Sequence, residues 1–439
     1  MSKTIVKPSI LPGFMELIPS EQILFNQMMD TIRKNYEKFG FLPIDTPLIE
    51  KSEVLLAKGG GETEKQIYQV VKGSTEMSLR FDLTVPLARY VAQYYSQLNF
   101  PYRRYHIGKV YRGERNQKGR FREFYQADID IIGNGSLDIV NDAEIPSIIY
   151  STFKDLGFEQ FTIKMNNRKI LSGFFQSLGI LDVHLVLRSV DKLEKIGIDK
   201  VREELSDNGI NIDQIQKIEE FISIKGSNDE IINRLKMLSV ENELFIEGIY
   251  ELETVVKYLR VFGVPESNFK LDLTIARGLD YYTGTVYETY LDEYPSIGSV
   301  CSGGRYDDLA SYYTKQKLPG VGISIGLTRL FYQLLEASII STVDASLTKV
   351  LIIPMEGYLE EGIKVASQLR NIDIKTQVYM EETKIGKKFN YADKLGIPYV
   401  IVIGEEEKIN AVFTLREMKS GNQVKYTLDE LLSVLKTDK

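Results

Sequence analysis

The spacing of apolar residues changes period several times along this chain, and the changes mark out its elements. From Ser20 to Phe39, the residues Phe25, Met28, Met29, Ile32, Tyr36 and Phe39 share one helical face, and Gly40 ends the run. Phe41–Glu50 contains two prolines, which restricts it to an extended, edge-type or interface segment. Lys65–Val71 and Met77–Phe81 predict a hairpin that delivers Asp82, Leu83 and Thr84 just before Pro86, where a helix starts. Val110–Ile132 predicts a second hairpin: a strand ending near Arg112, a basic loop holding Asn116 and Gly119, and a strand alternating from Phe124 onward. A helix over Asp138–Leu156, a strand over Phe161–Met165 and a helix near Asn167–Leu178 follow. Lys192 to Tyr258 lacks proline, is rich in Lys, Glu, Ile and Leu, and predicts several amphipathic helices. This helical insertion interrupts a strand pattern that resumes at Phe269.

Beyond it, Leu271–Leu291 alternates like a strand on either side of Tyr282–Gly284. Cys301–Leu309 (CSGGRYDDL) predicts a glycine-permitted turn carrying Arg305 and Asp307. Gly320–Leu330 (GVGISIGLTRL) predicts a strand packed closely on a helix bearing Arg329; its glycines do not follow a dinucleotide-binding fingerprint. A polar linker near 336–349 leads to strands at Val350–Ile353, Thr376–Val378 and Tyr399–Ile403. These alternate with helices at Leu359–Arg370 and Lys384–Leu395, the pattern of an α/β domain of about ninety residues.

Composition narrows the chemistry. Hydrophobic content of 43% and charged content of 26% are those of a globular protein. No run has the length of a membrane span and the N-terminus has no signal-like apolar stretch, so a cytoplasmic protein without a membrane partner is expected. The single cysteine, Cys301, excludes a cysteine-rich zinc cluster, and the two histidines, His106 and His184, make a histidine metal site or a Ser-His-Asp triad a poor fit. Both histidines read as packed or polar strand residues. Gly59–Gly61 lacks the ending of a phosphate loop and reads as a flexible loop. The net charge of −7 argues against indiscriminate nucleic-acid binding, yet Arg103–Arg122 holds eight Lys or Arg and one acid, Glu114, which makes an anion-directed patch.

The second strand of the basic hairpin carries the candidate chemistry. Period-two geometry places Phe124, Gln126, Asp128 and Asp130 on one face and Tyr125, Ala127, Ile129 and Ile131 on the other. The first face suits either a solvent-facing strand or a site, and the adjoining basic loop favours a site that handles an anion on one side and a cation on the other. Asp82 and Thr84 fit either helix capping or that site. Lys384, Lys387, Lys388 and Lys394 fit a solvated helix or a polyanion-binding face.

Taken together, these segments resemble a class II aminoacyl-tRNA synthetase, specifically a histidyl-tRNA synthetase, over nearly the whole length. FLPIDTPLIE, VYRGERNQKGRFREFYQADIDIIG and GVGISIGLTRL resemble the three motifs shared by many class II enzymes, the first a dimer-interface element. RGLDYYTGTVYE (Arg277–Glu288) and GGRYDDL (Gly303–Leu309) resemble the histidine-specific motifs. The resemblance implies an α+β fold: an antiparallel sheet flanked by helices in a catalytic domain over 1–335, a helical insertion over about 192–258, a linker over 336–349, and a C-terminal α/β anticodon-binding domain over 350–439. It implies a homodimer that activates L-histidine with ATP and charges tRNA(His), with Mg²⁺ carried on the phosphates and no dedicated protein metal site.

By the same resemblance Arg112 and Arg277 are catalytic and flank the α-phosphate. Asp82, Leu83, Thr84 and Gln126 receive the amino acid's α-ammonium end, while Asp130, Tyr281 and Tyr282 lie at the imidazole. Glu114, Phe124 and Arg329 contact ATP, and Gln117 and Arg122 lie near the tRNA acceptor end. One alternative is the synthetase-like regulatory subunit of ATP phosphoribosyltransferase, which generally lacks the C-terminal domain and carries degraded histidine-specific motifs. A class I synthetase fails because His106-Ile107-Gly108-Lys109 runs on into a strand. A plain RNA-binding protein leaves Asp82, Gln126 and Asp130 unexplained.

Overall fold

The structure is a computed structural model that describes residues 6–57, 62–114, 119–276, 281–342 and 346–437. The chain divides into two compact units, one of residues up to Met15 with Met28–Ile339, the other of Glu16–Gln27 with Ile340–Lys439.

The larger unit is built on a sheet with, among the described residues, eight strands. They are β1 (Leu42–Pro43), β5 (Tyr102–Tyr111), β6 (Glu123–Ile132), β7 (Phe161–Asn167), β8 (Phe269–Leu271), β9 (Thr285–Leu291), β10 (Cys301–Tyr306) and β11 (Gly320–Ile325), ordered β1-β5-β6-β11-β10-β9-β7-β8. The interior pairs are antiparallel, while β1 joins β5 and β8 joins β7 in parallel at the edges. A smaller sheet, β2 (Ile49–Lys51) with the hairpin β3 (Gln69–Lys72) and β4 (Thr75–Leu79), turns at Gly73 with φ 71°. That hairpin hands Asp82 to the helix Thr84–Gln93.

The two faces of the large sheet differ as the alternation of β6 predicts. Ala127, Ile129, Ile131, Ile323 and Tyr287 are buried on one face. There Tyr36, from the helix Pro19–Lys38, donates its hydroxyl to the Ala127 carbonyl at 3.0 Å, and Tyr287 donates to the Asp142 carbonyl in the helix Asn141–Asp155 at 2.7 Å. The opposite face carries polar side chains.

Several expectations needed correction. CSGGRYDDL is no turn: its first six residues form β10, and Gly303 and Gly304 serve close approach rather than left-handed backbone. A Cβ at Gly303 would lie 2.1 Å from the Gly322 carbonyl oxygen, and one at Gly304 would lie 2.5 Å from that of Thr285. Arg305 leaves the polar face altogether and pairs with buried Asp142, Nη2 to Oδ1 at 2.6 Å. LDVHLVLR is helical over Val183–Val190, started by the Asp182 side chain accepting from the Leu185 amide, and His184 is exposed on it. The strand before Tyr282 stops at Leu271, where Asp272 forms a turn with Thr274. The Gly59–Gly61 loop lies outside the described residues.

The insertion is helical as expected, ending in the long helix Glu243–Val261. The smaller unit has strands β12 (Val350–Pro354), β13 (Thr376–Val378), β14 (Tyr399–Ile403), β15 (Val412–Glu417) and β16 (Gln423–Thr427), ordered β13-β12-β14-β15-β16. Val350, Ile352, Ile401, Leu431 and Leu435 lie in its core. The last two strands and the helix Leu428–Thr437 are additions to the elements read from sequence. Lys388 is buried and donates to the Pro354 carbonyl at 3.0 Å, so it is structural rather than part of a solvated lysine face.

Candidate active site

The polar face of the sheet is the floor of a cavity of about 380 Å³. Register decides what lies beside what. On β5, Arg104, His106 and Gly108 stand opposite Asp130, Asp128 and Gln126 of β6; on β11, Gly322 and Ser324 stand opposite Asp130 and Asp128. Directly opposed residues share a face, so one polar surface crosses three strands. Its carboxylates are nonetheless buried: Asp128 and Asp130 are each 2% exposed. The solvent-facing alternative for β6 is thereby excluded.

Each group on the floor has a distinct attachment. Asp130 is held twice, by the Tyr306 hydroxyl donating to Oδ1 at 2.6 Å and by Arg104 Nη2 at 2.6 Å from Oδ2. Gln126 Nε2 donates to Ser324 Oγ at 2.7 Å, and the Ser324 hydroxyl serves the Asp128 carboxylate. Among the described residues Asp128 Oδ1, Gln126 Oε1 and Asp130 Oδ2 are buried without a hydrogen-bond partner, the contact of Oδ2 with Arg104 being an ion pair. Burial pushes the Asp128 carboxyl up to about 7 and that of Asp130 to about 6, with Arg104 opposing the rise in both. His106 is pushed down to about 3 by burial and by Arg104 and Arg80, so it is neutral. Its Nε2–H donates to Asp45 Oδ1 at 2.9 Å, as a packed strand histidine.

The walls carry the opposite charge. Arg112, just past β5, donates from Nε to the Phe81 carbonyl at 3.2 Å, and its guanidinium lies 4.4 Å from the Phe81 ring centroid and 5.1 Å from that of Phe124. Burial lowers its pKa, but a guanidinium stays charged near neutral pH. Glu114 pairs with Arg120 at 3.0 Å, and Arg329 donates to the Ile297 carbonyl at 2.9 Å. Asp82 accepts at Oδ1 from the Thr84 and Val85 amides at 3.1 and 2.9 Å, so it caps the helix and also lines the cavity. Tyr281 and Tyr282 meet edge-on at 4.9 Å, and burial raises both phenols, which stay protonated donors. Among the described residues no group of three or more His, Cys, Asp or Glu is arranged to hold a metal ion, and no helix is long and apolar enough to cross a membrane.

An acidic floor under cationic walls suits a ligand with donor nitrogens at one end and an anion at the other. Comparison with known proteins assigns the lineage. A family model described as Histidyl-tRNA synthetase matches residues 13–330, and one described as Anticodon binding domain matches 349–438. The chain belongs to the histidyl-tRNA synthetase family. A Histidine–tRNA ligase of Clostridium tetani (strain Massachusetts / E88) is 65% identical over 437 residues, 99% of this chain and 100% of that one. The crystal structure of histidyl-tRNA synthetase from Nostoc sp. PCC 7120 has a TM-score of 0.91 at 42% identity, covering 99% of this chain and 100% of that one. A Bacillus halodurans C chain described as an ATP phosphoribosyltransferase regulatory subunit/histidyl-tRNA synthetase has a TM-score of 0.75 at 21% identity over 91% of this chain and 100% of that one, a likeness of fold alone. The sheet and its flanking helices are those of a class II synthetase, followed by a C-terminal anticodon-binding domain.

Of the residues that the synthetase resemblance singled out, Asp82, Thr84, Arg112, Glu114, Phe124, Gln126, Asp130, Tyr281, Tyr282 and Arg329 all line the one cavity. Leu83 is fully buried and contributes backbone, its carbonyl 3.4 Å from Arg104 Nη2. Arg122 does not reach the cavity: its guanidinium donates to the Glu114 and Pro12 carbonyls at 3.1 and 3.3 Å. Arg277 and Gln117 lie outside the described residues. Sequence reasoning assigned no role to Asp128, Ser324, Tyr306 or Arg104. Asp128 was visible in the alternation of β6, whereas Arg104 joins the site only once β5 and β6 are in register.

Proposed function

We propose that this protein is a histidine–tRNA ligase. It activates L-histidine with ATP to histidyl-adenylate and pyrophosphate, then transfers the histidyl group to the 3′ end of tRNA(His). The observation that carries this reading is the convergence of Arg112, Asp82, Gln126 and the Asp128–Asp130 floor in one cavity of a chain from this family. A histidine carboxylate attacks the α-phosphorus of ATP, an anhydride bond forms, and pyrophosphate leaves with its electron pair. Arg112 faces the two anions that must approach and the charge that grows on the phosphate; Arg277 is the expected second guanidinium across it. ATP enters as its Mg²⁺ complex, its adenine against Phe124, with Glu114 and Arg329 as its further contacts.

Asp82, Thr84 and Gln126 receive the α-ammonium, and the imidazole lies toward Asp130, Tyr281 and Tyr282. Catalysis is assigned to 1–335, with a linker over 336–349 and anticodon recognition over 350–439. Gln117 and Arg122 remain the candidates for the acceptor end, Arg122 after release from Pro12. The protein works in the cytoplasm as a homodimer. Histidine-dependent ATP–pyrophosphate exchange, followed by charging of a tRNA(His) transcript, tests the reading. Folded protein without exchange would support the regulatory-subunit alternative, and exchange driven by another amino acid would overturn the substrate.

A further inference from the structure

Among the described residues, the stretch from Asp272 to Gly284 between β8 and β9 contains no helix or strand. Backbone groups in such a stretch have no ladder to pair with and take their partners from elsewhere in the fold. Here the partners come from the point where β7 runs into the helix Arg168–Ser177. Asn166 Nδ2 donates to the Leu273 and Ile275 carbonyls at 3.3 and 2.9 Å. Two residues on, the Arg168 amide donates to the Gly284 carbonyl at 2.9 Å, and Arg168 Nη1 donates to the Tyr282 carbonyl at 2.8 Å. Both described ends of the stretch are thus held by one short piece of chain.

The far end carries the two tyrosines of the cavity. Tyr281 meets the Tyr306 ring edge-on at 5.8 Å, and both Tyr281 and Tyr282 line the cavity. Behind them the Thr283 amide donates to the Arg305 carbonyl at 2.8 Å and the Thr283 hydroxyl to Asp307. Arg168 is buried, and a bond from a guanidinium is stronger than one between neutral groups.

The same piece of chain is fastened to the helical insertion. Buried Glu251, on the helix Glu243–Val261, accepts at Oε2 from Asn167 Nδ2 at 2.7 Å and pairs through Oε1 with Lys169. The two helices also touch directly: a Cβ at Gly248 would lie 2.7 Å from the Ile170 amide nitrogen. Asn167 in turn accepts from the Lys169 amide at 2.9 Å, which fixes where the helix, and Arg168 with it, begins.

We infer that Arg168 is a positioning residue that sets the Tyr281–Tyr282 backbone against the cavity, and that Glu251 of the insertion anchors it through Asn167 and Lys169. This role rests on the proposed histidine site. It gives the insertion's last helix a part in amino-acid binding, although none of its residues lines the cavity.

The test is ATP–pyrophosphate exchange with the full-length protein, varying L-histidine and ATP separately, for the unaltered chain and Arg168→Met. Losing the Nη1 bond to the Tyr282 carbonyl is expected to raise the histidine KM about tenfold while the ATP KM stays within about twofold. If Arg168→Met does not fold, Glu251→Gln carries the test: it leaves Arg168 in place, removes the ion pair with Lys169, and should raise the histidine KM alone about fivefold. A histidine KM within about twofold of the unaltered protein, or histidine and ATP KM values rising together, would overturn the inference. Absence of histidine-dependent exchange in the unaltered protein would instead strike the underlying functional reading.

Discussion

The Asp128 carboxyl should make this protein less stable as pH rises, and Asp128→Asn should remove that dependence. Burial lifts its folded-state pKa from 3.8 to about 7. The folded protein therefore binds this proton more tightly than the unfolded chain does. Its stabilising effect is full below the unfolded value, falls away as pH climbs between the two, and is gone above about 7. At about 1.4 kcal/mol per unit, the whole span amounts to about 4 kcal/mol. Asparagine carries no charge and shows none of this dependence. Its own contacts shift stability equally at every pH, so the difference between two pH values isolates the carboxylate. Between about pH 6 and about pH 8.5 the unaltered protein should lose about 1–2 kcal/mol more than the variant does. Urea unfolding followed by far-ultraviolet circular dichroism suits a chain with no tryptophan. An Asp128→Asn gain of equal size at both pH values would refute the reasoning, since it would place Asp128 in a solvated or fully paired setting.

Three further substitutions probe the floor and the anion wall. Arg104→Met should destabilise by about 3 kcal/mol, near the lower end of the cost of breaking a buried pair, because Arg104 Nε and Nη1 lack hydrogen-bond partners among the described residues and their removal offsets part of the loss; urea unfolding that shows a gain would contradict this. Gly322→Ala would place a Cβ 2.2 Å from Asp130 Oδ1 and 2.4 Å from the Ile129 carbonyl oxygen. Because that backbone cannot yield, it should cost about 1–3 kcal/mol and raise the histidine KM about tenfold, and unchanged melting with unchanged KM would count against it. Arg112→Lys should slow single-turnover adenylate formation about 100-fold, since a point charge cannot reproduce the planar fork or its stacking between Phe81 and Phe124; rapid-quench rates near those of the unaltered protein would remove Arg112 from the chemistry.

What could be read from sequence was whatever depends on local period. The face carrying Phe124, Gln126, Asp128 and Asp130 is fixed by two-residue alternation alone, and these four line the cavity as grouped. The glycines of Cys301–Leu309 were misread because a glycine signals either a reversed chain or a close approach, and only the neighbouring Gly322 and Thr285 carbonyl oxygens distinguish the two. Arg305 follows from the same error. Once β10 is a strand, Arg305 points to the face opposite the cavity and meets Asp142, and Tyr306 takes the cavity side beside Asp130.

The two aspartates of β6 mark the limit of a one-dimensional reading. They are the same residue type, on the same face of the same strand, and equally buried, so no local rule separates them. Their difference comes from partners distant in sequence: Arg104 is placed by the β5–β6 register and Tyr306 by the β10–β11 pairing, and both converge on Asp130. Burial of Asp128 is local to the strand, but the groups around it are not, and Asp128→Asn should remove the stability loss above neutral pH that this buried carboxyl brings.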